Sequence, residues 1–402
     1  WALTQHCLGF AYSERIHGDK SANLDEAVAC FRRVLSVWTM EAMPQEWAST
    51  QLKLAGLYQL RMGGDKDANQ ANKEEMMACY RGTLEVWTRE AAPGAWAETQ
   101  KRMGMAYAQV VDGDEVANLE EAVACHRRAL DVWTRETAPM RWASMQVCLA
   151  FAYRSQVGGG REDNVAKMEL TKACFRRALE VWTRESTPTS WAETLYSMAR
   201  TCMRWADSDQ AANVEEAVAC YRLVLEVWTR ETAPVEWLAT QVNLAFALRL
   251  RTSGDAADNM EEALACYRYA LEIVTRESNA QRWAQVQFCM GTAYAERVYG
   301  DKVANWEEAV ACYRRALELR TREATPQLWA TTTGRMVVAL QGCEQWAEAL
   351  ERARALHAFG REWQWWDENE ASLVTRVAQL EREVEQPPVA RAVNDPPPGV
   401  DN

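Results

Sequence analysis

The sequence contains few of the residues that catalytic and metal sites need. Only four of its 402 residues are histidines, and His6, His17 and His357 have no second ligand at a metal-binding spacing. No Cys-x-x-Cys pair occurs, and the glycine run at 158–160 lacks the Gly-Lys-Ser/Thr ending of a phosphate-binding loop. The sequence therefore predicts a protein without a metal or a cofactor, and one that is not an enzyme.

Long apolar segments and an excess of positive charge are also missing. No apolar run reaches about 18 residues, which argues against a transmembrane helix, and there is no signal-peptide pattern. The formal charge of −12 argues against nucleic acid and anionic membranes as partners, because both require a basic surface. The twelve cysteines recur within predicted helices, which is typical of reduced, buried thiols. We therefore expect a cytoplasmic protein.

Tryptophan, by contrast, is abundant, and its positions repeat. Eight of the 19 tryptophans form a series with spacings of 46 or 49 residues: Trp1, Trp47, Trp96, Trp142, Trp191, Trp237, Trp283 and Trp329. Seven cysteines keep the same spacings, and a tryptophan of the series follows each of them 17 residues later: Cys30, Cys79, Cys125, Cys174, Cys220, Cys266 and Cys312. This periodicity predicts a tandem array of eight repeats over residues 1–345.

Each repeat is predicted to contain two helices, A and B. Helix A is expected to begin at the tryptophan, shortly after a proline that a helix tolerates only near its N-terminus. A Gly-Asp pair then suits a left-handed helix end. Helix B is expected to begin at an asparagine in a capping box, such as Asn23/Glu26, and to continue through the "EVWTRE" segment. No segment alternates as a half-buried strand does, so the predicted class is all-α.

The pattern changes near the C-terminus. Residues 346–385 are predicted to form a short last helix and a helix that caps the apolar end of the array. Residues 386–402 are rich in proline and are expected to form a disordered linker or tail that leads to a further domain. Because the chain begins with Trp1 rather than Met, we also expect residues to precede it.

Several motifs resemble a known repeat family. Leu8-Gly9-x-x-Tyr12 followed by Ala27-x-x-x-Phe31 resembles the tetratricopeptide repeat (TPR) signature. The repeat is longer than the common 34-residue form, and "WAxTQ…AY…GD…NLEEA…TRE" looks like the repeats found beside bacterial caspase-like CHAT peptidase domains. Over about residues 1–345, the resemblance implies a right-handed superhelical α-solenoid of about eight helix pairs with a C-terminal capping helix.

One feature has the composition of a catalytic pair. Cys125 and His126 are adjacent, and two arginines follow them. The other repeats argue against catalysis, because the His126 position is aromatic in each of them: Phe31, Tyr80, Phe175, Tyr221, Tyr267 and Tyr313. We therefore predict that Cys125 and His126 are packing residues. The repeated "TRE" segment is predicted to link neighbouring repeats through exposed charges.

Partner recognition is expected where the repeats differ. The face of helix A opposite the packed face carries large apolar side chains, and two interpretations remain open. These side chains pack A helices against one another, or they form a groove for a partner. The resemblance to TPR proteins implies that this face lines a concave groove. Arginines and aromatics in the middle repeats predict the partner site in that groove at Phe151, Arg154, Tyr196, Arg200, Arg204, Phe246 and Arg249. On an acidic chain, this set suits a peptide with acidic residues or a C-terminal carboxylate.

Three hypotheses about function follow. The first is a non-catalytic protein–protein interaction scaffold that binds a protein or peptide in the concave groove. The second is the N-terminal sensor or regulatory region of a CHAT caspase-like protease whose catalytic domain is not in this chain. The third is a homo-oligomeric array that self-associates through a tryptophan-rich end at Trp363, Trp365 and Trp366.

Overall fold

The computed structural model of the chain describes residues 1–62, 66–109, 114–156, 158, 160–204, 210–363 and 370–385. These residues form helices and turns, with no strand among them, so the predicted all-α class is confirmed. In chain order the helices are α1 (Ala2–Ser13), α2 (Lys20–Leu35), α3 (Pro44–Leu60), α4 (Lys66–Val86), α5 (Pro93–Gln109), α6 (Glu115–Leu130), α7 (Pro139–Ser155), α8 (Arg161–Leu179), α9 (Pro188–Arg204), α10 (Gln210–Leu225), α11 (Pro234–Leu250), α12 (Ala256–Ile273), α13 (Ala280–Glu296), α14 (Lys302–Leu317), α15 (Pro326–Gly342), α16 (Trp346–Trp363) and α17 (Glu370–Glu385).

The A helices are the odd-numbered helices from α1 to α15, and most of them begin one turn earlier than predicted. The first helical residue is a proline, as at Pro44 in α3 and Pro234 in α11. Proline suits this position because the first helical N–H has no partner within the helix. The repeat tryptophan is therefore the fourth helical residue, and the amide of Trp47 donates to the carbonyl of Met43 at 2.9 Å.

The B helices also begin earlier than predicted, so the asparagine capping box is wrong. In α2 the N-cap is Asp19, whose side chain accepts from the amides of Ser21 and Ala22. Asn23 lies one turn inside the helix and donates to the carbonyl of His17 at 3.1 Å, which ties down the loop instead. Asp114, Asp255 and Asp301 cap their helices in the same way. An aspartate that can reach the first free amides displaces the asparagine from this role.

The glycine before this aspartate does adopt a left-handed conformation, but not at the end of helix A. Gly18, Gly254 and Gly300 have φ angles of 92°, 77° and 81°, and each directly precedes the aspartate N-cap. Helix α1 has already ended at Ser13. The glycine therefore turns the loop into helix B rather than capping helix A.

Most B helices end before the "VWTRE" segment, which was predicted to be helical, and α4 and α12 include only its first residue. Helix α2 ends at Leu35 and α14 at Leu317, and the following residues form turns. In these turns the threonine hydroxyl accepts from the amide three residues later, as Thr88 Oγ1 does from Ala91 at 3.2 Å. Threonine competes in this way with helical hydrogen bonds. The proline that follows also disfavours a helical residue before it.

The helices pack in the order in which they occur along the chain. The chain divides into two compact units, unit 1 (Trp1–Thr194) and unit 2 (Leu195–Asn402), with the boundary inside α9. In unit 1 each helix from α1 to α8 packs against the next, and in unit 2 the same holds from α10 to α17. A helices also contact the A helix of the following repeat, as α11 does α13. Such serial packing of helix pairs is that of an α-solenoid.

Six of the eight repeats bury one large phenylalanine or tyrosine ring of helix B against helix A. The residues Phe31, Tyr80, Phe175, Tyr221, Tyr267 and Tyr313 are at most 2% exposed. Small residues of helix A make room for these rings. A Cβ added to Gly9 would lie 3.0 Å from the Phe31 ring, and one added to Gly291 would lie 3.0 Å from the Tyr313 ring. The interlocking of small and large residues that the TPR signature implies is thus present.

Exposed ion pairs link successive repeats, as predicted for the "TRE" segment. The arginine pairs with an acidic residue near the end of the next B helix, not with its own neighbouring glutamate. The pairs are Arg89–Asp131 at 3.5 Å, Arg135–Glu180 at 2.6 Å, Arg230–Glu272 at 2.7 Å and Arg276–Glu318 at 2.7 Å. All eight side chains are about half exposed, so each pair contributes little to stability.

Two further predictions concern the membrane and the C-terminus. None of the described helices is both long enough and apolar enough to cross a membrane. The proline-rich residues 386–402, Trp365 and Trp366 lie outside the described residues, as does the side chain of Trp363.

Candidate functional site

The predicted arginines and aromatics form separate pairs on three A helices. In each pair the guanidinium lies over the ring, as residues three or four apart on a helix can do. The distances from Cζ to the ring centroid are 4.7 Å for Arg154 over Phe151, 5.8 Å for Arg200 over Tyr196 and 5.1 Å for Arg249 over Phe246. Arg204 is exposed at the end of α9. Phe151 and Arg154 lie in unit 1, and the other five residues lie in unit 2.

Two of these residues, Tyr196 and Arg200, line a cavity in unit 2. The cavity has a volume of about 340 Å³ and is built by three successive A helices, α9, α11 and α13. Its apolar lining comes from Leu238, Ala239, Val242 and Val286, and its remaining polar lining from Asn243, Arg282 and Gln285. The cavity therefore combines an apolar surface with a few polar groups, as ligand sites commonly do.

Tyr196 is held in place by its neighbours. Its ring packs against Tyr221 and Trp228, with centroid distances of 5.9 and 5.4 Å. Asn243 Nδ2 donates to the Tyr196 hydroxyl at 2.8 Å. Burial raises the pKa of Tyr196, so the phenol keeps its proton. A fixed ring and a neutral hydroxyl thus form one wall of the cavity.

Phe246 and Arg249 are part of a different environment, although they lie on α11 as well. They do not line the cavity, and the Arg249 guanidinium forms an ion pair with the Glu296 carboxylate. Its side chain is 14% exposed. The charge of Arg249 is therefore already matched within unit 2, whereas the prediction assigned it to an acidic partner.

Arg200 and Arg282 differ from Arg249 in this respect. Both are exposed, and neither forms an ion pair with a carboxylate among the residues that the structure describes. Nearby, Arg251 pairs with Glu215 at 2.8 Å, and hydrogen bonds from Arg251 and Ser253 lower the pKa of Glu215 to about 2. The two cavity arginines thus present charge that their surroundings do not match.

A buried arginine behind the cavity was missed by the sequence prediction. Arg320 is 4% exposed and follows α14, where the equivalent residue in five other repeats is tryptophan. Its Nη1 donates to Thr332 Oγ1 at 2.9 Å, and its Nη2 donates to Oε1 of Gln285, which lines the cavity. The Cζ atom lies 4.7 Å from the ring centroid of Phe288. The replacement of tryptophan by arginine was the signal that could have identified it.

Comparisons with known proteins agree with this architecture. No protein-family model matches the chain, and none of the curated proteins matches it. The crystal structure of the apo form of RapI aligns with 96% of this chain and 99% of its own length, at a TM-score of 0.54 and 12% identity. The fold is that of a TPR-like repeat protein. A signal transduction ATPase with numerous domains (STAND) from Pyrococcus horikoshii, which has a tetratricopeptide repeat sensor, aligns with 94% of this chain at a TM-score of 0.52 and 13% identity. The present chain spans 49% of that protein.

Within this TPR-like array, Cys125 and His126 are packing residues, as predicted. His126 is 1% exposed and fills the aromatic position of helix B, where Gly104 of α5 makes room for it. Burial lowers the pKa of His126 to about 4 and raises the pKa of Cys125 to about 11. Neither the thiolate nor a protonated imidazole is favoured in such surroundings. Across the described residues, no group of three or more His, Cys, Asp or Glu side chains is arranged to hold a metal ion.

Proposed function

We propose that this TPR-like chain is a non-catalytic scaffold that binds a peptide or a protein segment in the cavity between α9, α11 and α13. The observation that supports the proposal is the cavity itself, whose lining combines apolar side chains with two arginines that have no carboxylate partner among the described residues. An extended peptide segment places side chains and backbone groups close together, and such a lining can contact both. All twelve cysteines are free thiols, which supports a reducing compartment such as the cytoplasm.

The test selects peptides that bind the chain and then measures their binding to a variant whose cavity is filled. Random peptides with free C-termini are selected on the purified chain, and the affinities of enriched peptides are measured by fluorescence anisotropy. The variant Val242→Trp fills the cavity. Val235→Trp is the matched control, because Val235 lies on the same helix, is 53% exposed and is outside the cavity lining.

We expect the enriched peptides to bind the wild type and Val235→Trp equally well, and to bind Val242→Trp at least tenfold more weakly. Circular dichroism checks that both variants keep the helix content of the wild type. Equal binding to the filled variant would move the partner site away from this cavity. A selection that enriches no peptide would contradict the proposed function.

A sensor role beside a CHAT caspase-like domain is a second candidate. The sequence resemblance supports it, and the Pyrococcus horikoshii protein carries its tetratricopeptide repeats as a sensor. The test is to read the gene beyond Asn402. A strand–helix domain with a catalytic His and Cys would support this role, and an unrelated domain would remove it.

A further inference from the structure

Most polar groups of the cavity are hydrogen-bond donors, and the exception is Oδ1 of Asn243, a carbonyl oxygen that accepts. Arg200 and Arg282 can only donate. The Tyr196 hydroxyl already accepts from Asn243 Nδ2 and keeps its own O–H to donate. No Asp or Glu lines the cavity within the described part of the chain. A ligand that satisfies the two arginines and the Tyr196 O–H has to supply acceptor oxygens.

Arg320 extends this donor character to Gln285. Because a guanidinium only donates, the contact with Arg320 turns Oε1 of Gln285 towards the protein interior. The amide nitrogen is thereby left on the other side of the carboxamide, 3.3 Å from the weak acceptor Sγ of Cys289. Because Gln285 lines the cavity, its second N–H is the donor that it can offer to a ligand there.

Within the described ranges, carboxylates of the protein do not match the positive charge around the cavity. Seven other arginines of unit 2 do pair with carboxylates: Arg222, Arg230, Arg249, Arg251, Arg276, Arg297 and Arg314. Arg200, Arg282 and Arg320 have no such partner among the described residues. Burial lowers the pKa of Arg320, yet an arginine keeps its charge in proteins. A buried cation without an anion is costly, and a bound anion would offset that cost.

The apolar part of the lining decides which anion fits. Leu238, Val242 and Val286 surround the donors with aliphatic surface. A carboxylate attached to an apolar side chain or backbone segment would bury both of its parts here. A free phosphate ion would contact the aliphatic surface without gaining from it.

From this geometry we infer that the cavity binds a carboxylate of the partner peptide through Arg200, Arg282 and the amide N–H of Gln285, which Arg320 positions. The inference rests on the proposed function and names the chemistry of that site. The carboxylate comes from the C-terminus of the peptide or from an Asp or Glu side chain. Both sources present the same acceptor pair to the arginines.

The first test measures the carboxylate directly. Enriched peptides are synthesised as free acids and as C-terminal amides, and each Asp or Glu is replaced by Asn or Gln. We expect one of these changes to weaken binding by about ten- to a hundredfold, because it removes hydrogen bonds to charged groups. Loss on amidation identifies the C-terminus, and loss on the Glu→Gln change identifies a side chain.

The second test measures the arginines. Arg200→Gln and Arg282→Gln change exposed residues and should leave the fold intact. We expect each substitution to abolish most of the difference in affinity between the peptide that carries the carboxylate and its neutral form. Arg222→Gln is the matched control, because Arg222 pairs with Glu262 away from the cavity and should leave that difference unchanged.

Arg320→Val tests the positioning role, since valine is the buried residue of another repeat at this position, Val274, and has no side-chain donor. We expect unchanged helix content and a smaller ratio of acid to neutral peptide affinity, which a purely structural role would not alter. Peptides that bind the cavity with equal affinity as acids and neutral forms would overturn the inference and leave the proposed function standing. A selection without any enriched peptide would overturn both.

Discussion

His126→Phe tests whether His126 is a packing residue and not part of a chemical site. Phenylalanine occupies the same position of helix B at Phe31 and Phe175, both fully buried. At Phe31 the facing residue of helix A is Gly9, just as Gly104 faces His126. We therefore expect the variant to fold and to be at least as stable as the wild type at pH 7.

The size of the stability loss that we expect on acidification follows from the pKa of His126. Burial lowers this pKa from its ordinary value of 6.5 to about 4, which corresponds to about 3 kcal/mol between the two protonation states. Between these two pH values the unfolded chain binds a proton that the folded chain excludes, so stability falls as the pH falls. At pH 5 the wild type should have lost about 2 kcal/mol relative to pH 7 through this residue alone. His126→Phe should not show this loss.

The assay is urea unfolding at pH 7 and pH 5, followed by hydrogen exchange of the α5–α6 pair. Hydrogen exchange is needed because repeat arrays open locally. His17→Gln serves as the control, because His17 is exposed and should leave the pH dependence of the wild type unchanged. If the wild type and His126→Phe lose the same stability on acidification, the imidazole is solvated and the packing interpretation is wrong.

Other substitutions test the fold at particular contacts, each by urea unfolding. Gly104→Ala should cost about 1–3 kcal/mol, because the new Cβ would lie 2.6 Å from Cε1 of His126, and a neutral effect would contradict the tight packing. Gly56→Ala, where a Cβ meets open space on α3, should instead stabilise by about 0.5–1 kcal/mol. Asp255→Ala should cost about 1 kcal/mol, because α12 loses its N-cap. An unchanged stability would mean that the asparagine one turn later caps the helix instead. Arg276→Gln should cost less than about 1 kcal/mol, since its ion pair is half exposed; a loss above 2 kcal/mol would give these pairs a structural role.

The sequence was sufficient for the fold because its repeats act as internal controls. A position that is tryptophan, cysteine or aromatic in repeat after repeat has to serve the common structure, as the burial of Tyr267 and Tyr313 illustrates. Helix ends were less predictable. Asn23 and Asp19 are both good N-caps, and which one the backbone brings to the free amides depends on the loop before it.

The candidate site was only partly predictable, for a physical reason. Tyr196 and Arg200 were predicted from their face of helix A, and both line the cavity. Arg249 also lies on α11, but its partner Glu296 comes from α13, and sequence spacing does not reveal such an ion pair between helices. Arg320 was missed because it lies after helix B and acts through Gln285, a contact that only the packed structure brings about.

The central claim is that the cavity between α9, α11 and α13 holds a peptide carboxylate. The most direct measurement is a crystal structure of the chain with an enriched peptide bound. We predict peptide density in the cavity, with a carboxylate oxygen within hydrogen-bond distance of Arg200 or Arg282. Peptide density on the B helices or on α17, with the cavity empty, would contradict it.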